Sequence, residues 1–424
     1  NPIDPIDDEN FSSSSDDHIS ITGPLDLGFV DEDNSYVLNN SDLLKNVINS
    51  DNESISVSEL KISSGEGNLV DNKDETWTFT PDVGWNGNVE FSYNVIDYSN
   101  LSLLGNSLYT TLESSTWLEA EERANQLGGH LVSINSEKEN EWLIDEFSND
   151  PSLLSQNGHT SIHIGLRNST NDPRLSWTDN SDVVINNVHN PDLIGVGGTS
   201  IVMNLELPNS NDPLTGQWEI GTPPNYPGIA EIPYYKFSNS IYLSLGPSTW
   251  EEAQAKAEKL GGNLVSINSQ EEQDFIFNTF INIEDDDIGK YIGFTDKDSE
   301  GNWTWTDGSI SNYSNWDLRS FANEPNNGAT QSNVNEENYA MVYTKHNGDP
   351  DAIGYWNDIR NDISASLSGI VEIKGRESFK TKATLKVGNQ PPVITGPVDL
   401  GFIDEDNSLL ITKESLLANS SDPE

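Results

Sequence analysis

The chain has 424 residues, 70 acidic against 21 basic side chains, a formal charge of −49 and no cysteine. That length suits roughly three domains of about 150 residues each. The charge excludes a nucleic-acid-binding role, which needs a basic face, and the missing thiols exclude a disulfide scaffold and cysteine-ligated zinc. No apolar run approaches the ~20 residues that cross a bilayer, so no membrane insertion is expected. Self-repulsion for solubility accounts for the acidity; so does an extracellular chain that holds many Ca²⁺ ions or is adapted to salty water.

In chain order, residues 1–16 read as a linker. ITGPLDLGFVDEDNS (Ile21 to Ser35) then recurs near the end of the chain as ITGPVDLGFIDEDNS (Ile394 to Ser408), with Leu25 replaced by Val398 and Val30 by Ile403. A Leu-Leu pair follows each copy (Leu43-Leu44 and Leu416-Leu417). The first copy runs on into ETWTFTP (Glu75 to Pro81), a Gly-Trp-Asn-Gly turn (Gly84 to Gly87) and NVEFSYNVID (Asn88 to Asp97). Period-two alternation bounded by Gly and Asn predicts an antiparallel β-sandwich.

This stretch resembles the cadherin-like (immunoglobulin-like) repeats of large bacterial surface adhesins of the RTX type. The resemblance implies that residues 17–98 are the first part of such a sandwich. Its last strand is missing where Asp97 gives way to other sequence, while strand-like SFKTKATLKVGNQPP (Ser378 to Pro392) comes only after Lys374. An unpaired sheet edge is a liability. Residues 376–390 are therefore expected to return and complete a split domain; the rival reading makes Ser378 to Val387 a linker. Residues 391–424 start the next repeat, too short for a sandwich, and the chain reads as a piece of a longer parent whose tandem repeats are its neighbours. Asp31 to Asp33, Asp404 to Asp406 and Asn389 are candidates to bridge adjacent repeats through Ca²⁺.

Between the two halves lies a second repeat. STWLEAEERANQLGGHLVSINSEKENEWL (Ser115 to Leu143) matches STWEEAQAKAEKLGGNLVSINSQEEQDFI (Ser248 to Ile276), with Trp117 in register with Trp250. Helical spacing puts Ala120, Ala124 and Leu127, like Ala253, Ala257 and Leu260, on one buried face. The glycine pairs Gly128-Gly129 and Gly261-Gly262 end each helix. IHIGL (Ile162 to Leu166) pairs with YIGF, LSWTD (Leu175 to Asp179) with WTWTD, and GIAEI (Gly228 to Ile232) with GIVEI. The tryptophans Trp117, Trp250, Trp303 and Trp305 fall in these patterns and suit core packing.

The second unit adds three clusters: Glu324-Pro325-Asn326, Glu337-Asn338 and Trp356-Asn357-Asp358. Glu324, Asn326, Glu337, Asn357 and Asp358 are all oxygen donors, a mix that suits Ca²⁺ rather than zinc or copper. The ordered series YIGFTD, WTWTDGS, YSNW, EPNN, ENYA, WND and GIVEI resembles the C-type lectin-like domain along its whole length. The resemblance implies two α+β lectin-like domains, 99–236 and 237–375, inserted into the all-β sandwich. It implies that the five donors share a Ca²⁺ and a sugar, with Pro325 preceded by a cis bond. The EPN order implies mannose, glucose or fucose-type glycans, as opposed to the galactose-type Gln-Pro-Asp. Asp296, Glu300, Asn327, Glu337 and Asn338 match an auxiliary Ca²⁺ position, and Tyr339 stands where the family usually has cysteine.

The first unit is expected to lack the site. Its interval from Asp179 to Trp218 is shorter than that from Asp307 to Trp356, and the shortfall falls in the loop that carries Glu324-Pro325-Asn326 in the second unit. Trp218-Glu219-Ile220 replaces Trp-Asn-Asp. Glu206 to Asn209 repeats part of the motif by coincidence, and Asn168 and Asp172 are poor counterparts of the auxiliary ligands. Catalysis finds no pattern: His130, His159, His163, His189 and His346 are scattered, without HExxH or a triad context. The expected function is a Ca²⁺-dependent sugar-binding module of an extracellular bacterial adhesin, partnered by cell-surface glycans. The alternative is a protein- or ice-binding adhesin that uses the scaffold without sugar.

Overall fold

The computed structural model describes residues 19–49, 54–72, 75–98, 101–153, 160–168, 174–185, 187–189, 198–205, 215–221, 225–283, 287–320, 322–327, 336–345, 348–361, 367–388 and 393–421. His159, Asp172, Glu206 to Asn209, His346 and Asn389 lie outside the described residues. The chain divides into two units, Asn1–Asp97 with Glu377–Glu424, and Tyr98–Arg376.

In the first unit, beside the two-stranded pairs Ile19–Ile21 with Val47–Asn49 and Val393–Ile394 with Ser420–Ser421, the alternating segments form two larger sheets. One orders its strands Leu25–Asp31, Glu377–Gly388, Gly87–Asp97, Ile55–Ser64; the other orders Tyr36–Asn39, Thr76–Pro81, Gly67–Asp71. The strand from Glu377 is central: it runs antiparallel to Gly87–Asp97 from the Glu377–Asp97 pair onward, and parallel to Leu25–Asp31. Alternation sends Val89, Phe91, Tyr93 and Val95 inward to meet Leu38, Phe79 and Leu385 in one apolar core. Phe79 and Phe91 pack edge to face at 5.3 Å.

The repeated sequence behaves differently in its second copy. Leu25–Asp31 is a strand, whereas residues 397–411 take part in no strand ladder among the described residues, and Phe402 and Leu410 are exposed.

The second unit holds two sheets of like topology. The earlier orders Trp218–Ile220, Ser200–Asn204, Ser161–Asn168, Asn225–Pro233, Ser107–Thr116, Ser102–Leu104. The later orders Trp356–Ile359, Tyr339–Tyr343, Gly289–Thr295, Ser368–Lys374, Ser240–Ser244, Tyr235–Phe237, so Tyr235 and Lys236 already belong to the second sheet. Each sheet carries a helix, Trp117–Gln126 or Trp250–Lys259, opened by a capping box in which Thr116 or Thr249 exchanges hydrogen bonds with Glu119 or Glu252. Ala120, Ala124, Leu127, Ala253, Ala257 and Leu260 are all buried. The indoles Trp117 and Trp250 donate to the Ile164 and Ile292 carbonyls, both at 2.8 Å.

The two lectin-like halves pack at the end of the earlier helix. Gly128, at φ +87°, leaves space only for hydrogen there: a Cβ would stand 1.7 Å from the Ser244 carbonyl oxygen. The backbone of Gly246 donates to the Gln126 carbonyl at 3.2 Å. Two α+β lectin-like folds and a β-sandwich are therefore present, as the sequence leads one to expect.

Candidate functional site

The later sheet ends in the edge strand Trp356–Ile359, antiparallel to Tyr339–Tyr343, which puts Asn357 opposite Met341 and Asp358 opposite Ala340. The Trp356 indole is wholly buried and donates to Gln273 Oε1 at 2.9 Å, so the strand is anchored from below. Above it runs the loop with Glu324 and Asn326. Its stem is joined to the strand by Asp317 N to Trp356 O (3.0 Å) and by Glu324 N to Asp317 O (2.9 Å). The Glu324–Pro325 bond is cis. Asp317, buried, takes a two-pronged ion pair from Arg319, which reaches Asp349 as well at 3.0 Å.

Asn327 ties the three clusters together. Its backbone, in the left-handed region at φ 50°, donates to Asp358 Oδ2 at 2.6 Å. Its Oδ1 accepts from the Glu337 amide at 2.9 Å, and its Nδ2 donates to Glu300 Oε1 at 2.8 Å. Asn326 Nδ2 donates to Glu324 Oε1 at 2.8 Å and to the Ala322 carbonyl at 3.2 Å. Tyr343 donates its hydroxyl proton to Asn357 Oδ1 at 2.7 Å. Glu337 Oε1 lies 3.5 Å from the guanidinium of Arg360.

The electrostatics are unfavourable as they stand. Glu324 and Asp358 are 5 % and 1 % exposed, yet Glu324 Oε2 and Asp358 Oδ1 accept no hydrogen bond. Burial first, then the facing Asp358 carboxylate and the charge of Glu337, push the Glu324 carboxyl far above the usual carboxylate range. Such orphaned buried oxygens are costly unless a cation or donor meets them.

The auxiliary set is partly assembled. Asp296 is 3 % exposed, with Oδ1 unpartnered and Oδ2 accepting from the Gly301 amide at 2.8 Å. Burial is the main cause raising both Asp296 and Glu300, with added repulsion from the acids around them. Asn338 instead lends its main-chain carbonyl to Thr295 Oγ1 at 2.6 Å and to the Asp296 amide at 3.2 Å.

Among the described residues, His, Cys, Asp and Glu side chains nowhere gather in threes close enough to hold a metal by themselves. A cation here depends on the amide oxygens of Asn326 and Asn357 joining the acids. The donor set is all oxygen and three-fifths carboxylate, and it contains the two orphaned oxygens; it fits Ca²⁺.

Four residues carried no sequence signal strong enough to single them out. Tyr343 holds Asn357, the Asp317–Arg319 pair holds the loop, and Glu336 adds its charge to Asp296 and Glu300. The doublet Glu336-Glu337 was the one available hint.

In the earlier sheet Glu219 and Ile220 take the ladder positions of Asn357 and Asp358, opposite Val202 and Ile201. Trp218 keeps its core place and donates to Asn140 Oδ1 at 3.0 Å. Asn168, 1 % exposed, spends its Oδ1 on the Thr199 amide at 2.6 Å. The fold persists there without the Asn-Asp pair of the later strand.

Comparison with known proteins bears on both units. The lectin C-type domain model matches residues 113–211 and 246–359, together half of the chain, and the cadherin-like domain model matches residues 17–108. The chain is 42% identical over 87 residues to the low affinity immunoglobulin epsilon Fc receptor of Mus musculus, a match covering 20% of this chain and 24% of the receptor. It is 26% identical over 235 residues to lymphocyte antigen 75 of Mesocricetus auratus, covering 48% of this chain and 13% of that protein. Among solved structures it is similar to the mouse scavenger receptor C-type lectin carbohydrate-recognition domain, at 28% identity and a TM-score of 0.27, over 34% of this chain and 95% of that one. The chain thus spans a quarter or less of the length of these two curated relatives.

Proposed function

The chain belongs to the C-type lectin family, and from that premise we propose that its second lectin-like unit is a calcium-dependent carbohydrate-binding module. The proposed ligands are Glu324, Asn326, Glu337, Asn357 and Asp358. The supporting observation is the buried pair Glu324 Oε2 and Asp358 Oδ1, facing acids without a donor between them. When bound, Ca²⁺ supplies positive charge and open coordination positions that two vicinal hydroxyls can fill.

The chain's own groups sort the hydroxyl hydrogens. Ionised Glu324 can only accept, so a hydroxyl donates to it; the Asn326 amide gives oxygen on one side and donates from nitrogen on the other. The Tyr343 hydroxyl holds Asn357 in one orientation, and the Asn327 backbone does the same for Asp358. This donor and acceptor order suits equatorial pairs of the mannose, glucose and fucose type. Asp296, Glu300, Asn327 and Asn338 are proposed to serve an auxiliary ion.

No catalytic role is proposed. The setting is an extracellular adhesin on a bacterial surface, in which the sandwich presents the lectin-like pair. A single sugar at millimolar affinity gains only about 4 kcal/mol, so firm attachment requires many copies. A glycan array run with Ca²⁺ and again with chelator tests the reading. Mannose, glucose or fucose-type binding lost in chelator is the expected result. Binding that survives chelation overturns it and favours a protein or ice surface as ligand.

A further inference from the structure

We propose that Glu251, in the first turn of the helix Trp250–Lys259, is a positioning residue that clamps together the two chain segments carrying Glu337 and Asn357-Asp358. The proposal rests on the calcium-site reading above and concerns how a chain without cysteine holds that site in shape.

The need for a clamp follows from the ladder. Pairing between Tyr339–Tyr343 and Trp356–Ile359 ends at the Tyr339–Ile359 pair. Glu337 lies two residues before that point and Asn361 two residues after it, so no backbone ladder holds the segments together where the ligand Glu337 leaves the sheet. Glu251 spans this gap. Its Oε1 accepts from the Tyr339 hydroxyl at 2.9 Å and from the Lys297 ammonium. Its Oε2 accepts from Asn361 Nδ2 at 2.9 Å, and its backbone N–H donates to Asn361 Oδ1 at 3.1 Å. One carboxylate thus fastens the strand entering from Glu337, the segment leaving Asp358, and the turn beyond Thr295.

Two further observations favour a role beyond general stability. The Tyr339 ring packs on Trp250 at 4.5 Å, and the Trp250 indole is itself hydrogen-bonded to the sheet, so the clamp stands on a rigid base. The Glu251 side chain is still 43% exposed, where loss of hydrogen bonds costs the fold little because water replaces them. The lectin-like repeat supplies an internal control. The position equivalent to Glu251 in the first unit, directly after Trp117 as Glu251 directly follows Trp250, is Leu118, 61% exposed and without a carboxylate to make the side-chain bonds. That unit has Glu219 and Ile220 in place of Asn357 and Asp358, so the clamp is absent where the Asn-Asp pair is absent.

Isothermal titration of the whole chain with Ca²⁺ alone tests the proposal on wild type, Tyr339→Phe, Glu251→Ala and the double variant, with melting in chelator as the control for folding. Each single change is expected to weaken Ca²⁺ binding about fivefold, and the double variant no further than Glu251→Ala, because both remove one shared contact. Melting in chelator is expected to stay within about 2 °C of wild type. Unchanged Ca²⁺ affinity in both single variants, or losses that simply add, overturns the clamp while leaving the calcium site standing. Affinity losses matched by early melting in chelator make Glu251 a general stabiliser and overturn it too. Should Glu251→Ala fail to fold, Tyr339→Phe, which removes one oxygen, decides alone. A wild-type chain that takes up no Ca²⁺ overturns the calcium-site reading and the clamp with it.

Discussion

Asp358→Asn should invert its effect on stability between chelator and calcium. In chelator the wild-type side chain faces Glu324 with its Oδ1 unpartnered, while its Oδ2 accepts from the Asn327 amide. An asparagine keeps the acceptor for Asn327 and turns an N–H toward Glu324 Oε2, so that Glu324, no longer forced to hold a proton beside a second carboxylate, can ionise and accept a charge-assisted hydrogen bond. Such a bond is worth about 1.5–3 kcal/mol. At about 2–4 °C per kcal/mol for a unit of this size, the melting temperature in chelator should rise by roughly 3–12 °C. With Ca²⁺ at a hundredfold excess over its dissociation constant, wild type gains about 2.7 kcal/mol by mass action, and the variant, short one carboxylate, gains much less. Scanning calorimetry of both proteins in each condition gives the four melting temperatures. A variant that melts below wild type in chelator refutes the facing-carboxylate argument. A wild type indifferent to Ca²⁺ refutes the site.

Exchange of Glu324→Gln with Asn326→Asp reverses a donor and an acceptor, and should move preference toward galactose-type sugars on an array; unaltered preference with Ca²⁺ still bound counts against the proposed sugar geometry. Burial drives the Glu372 carboxyl up to about 7, with Glu272 adding repulsion against the opposing pull of Lys374. Because this pKa is raised on folding, the group contributes stability at acid pH that is lost as pH rises from about 4.5 through 7; side-chain NMR should find its midpoint near 7, and a midpoint below 5 contradicts the burial argument. Gly128→Ala forces a methyl into the Ser244 carbonyl and should destabilise the lectin-like pair by about 1–3 kcal/mol, visible as a lower calorimetric midpoint. An unchanged midpoint would mean that the two halves separate freely at that contact.

Much of the fold was legible because its signals are local. The spacing of Ala253, Ala257 and Leu260 gave a helix face, and Thr249 with Glu252 gave its start, since a capping box needs only residues three apart. The donors Glu324, Asn326, Glu337, Asn357 and Asp358 were recognisable as residue types suited to a hard cation. Their support was not. Tyr343, Asp317 and Arg319 are ordinary letters in the sequence, and only the folded loop shows that they hold Asn357 and the stem of the Glu324 turn. Asn327 and Asn338 look alike as candidate ligands, yet Asn327 uses its backbone and both side-chain polar atoms to join Asp358, Glu337 and Glu300, while Asn338 is tied in through its main-chain carbonyl.

The repeated segment separates what sequence determines from what it leaves to the fold. Ile21 to Ser35 and Ile394 to Ser408 differ at two apolar positions, and both carry the turn with left-handed Asp33 or Asp406. A tight turn is decided within a few residues, so the letters suffice. Strand structure is not: Leu25–Asp31 is a strand because Glu377–Gly388 arrives to pair with it, while residues 397–411 have no such neighbour among the described residues and form no ladder. The same logic holds at the site. Composition put acids and amides in the chain, but the orphaned oxygens of Glu324 and Asp358 exist only because a loop and an edge strand, well separated along the chain, close on each other. A hydrogen-bond ladder and a repulsion between charges both need a partner in space, and that partner is set by tertiary structure alone.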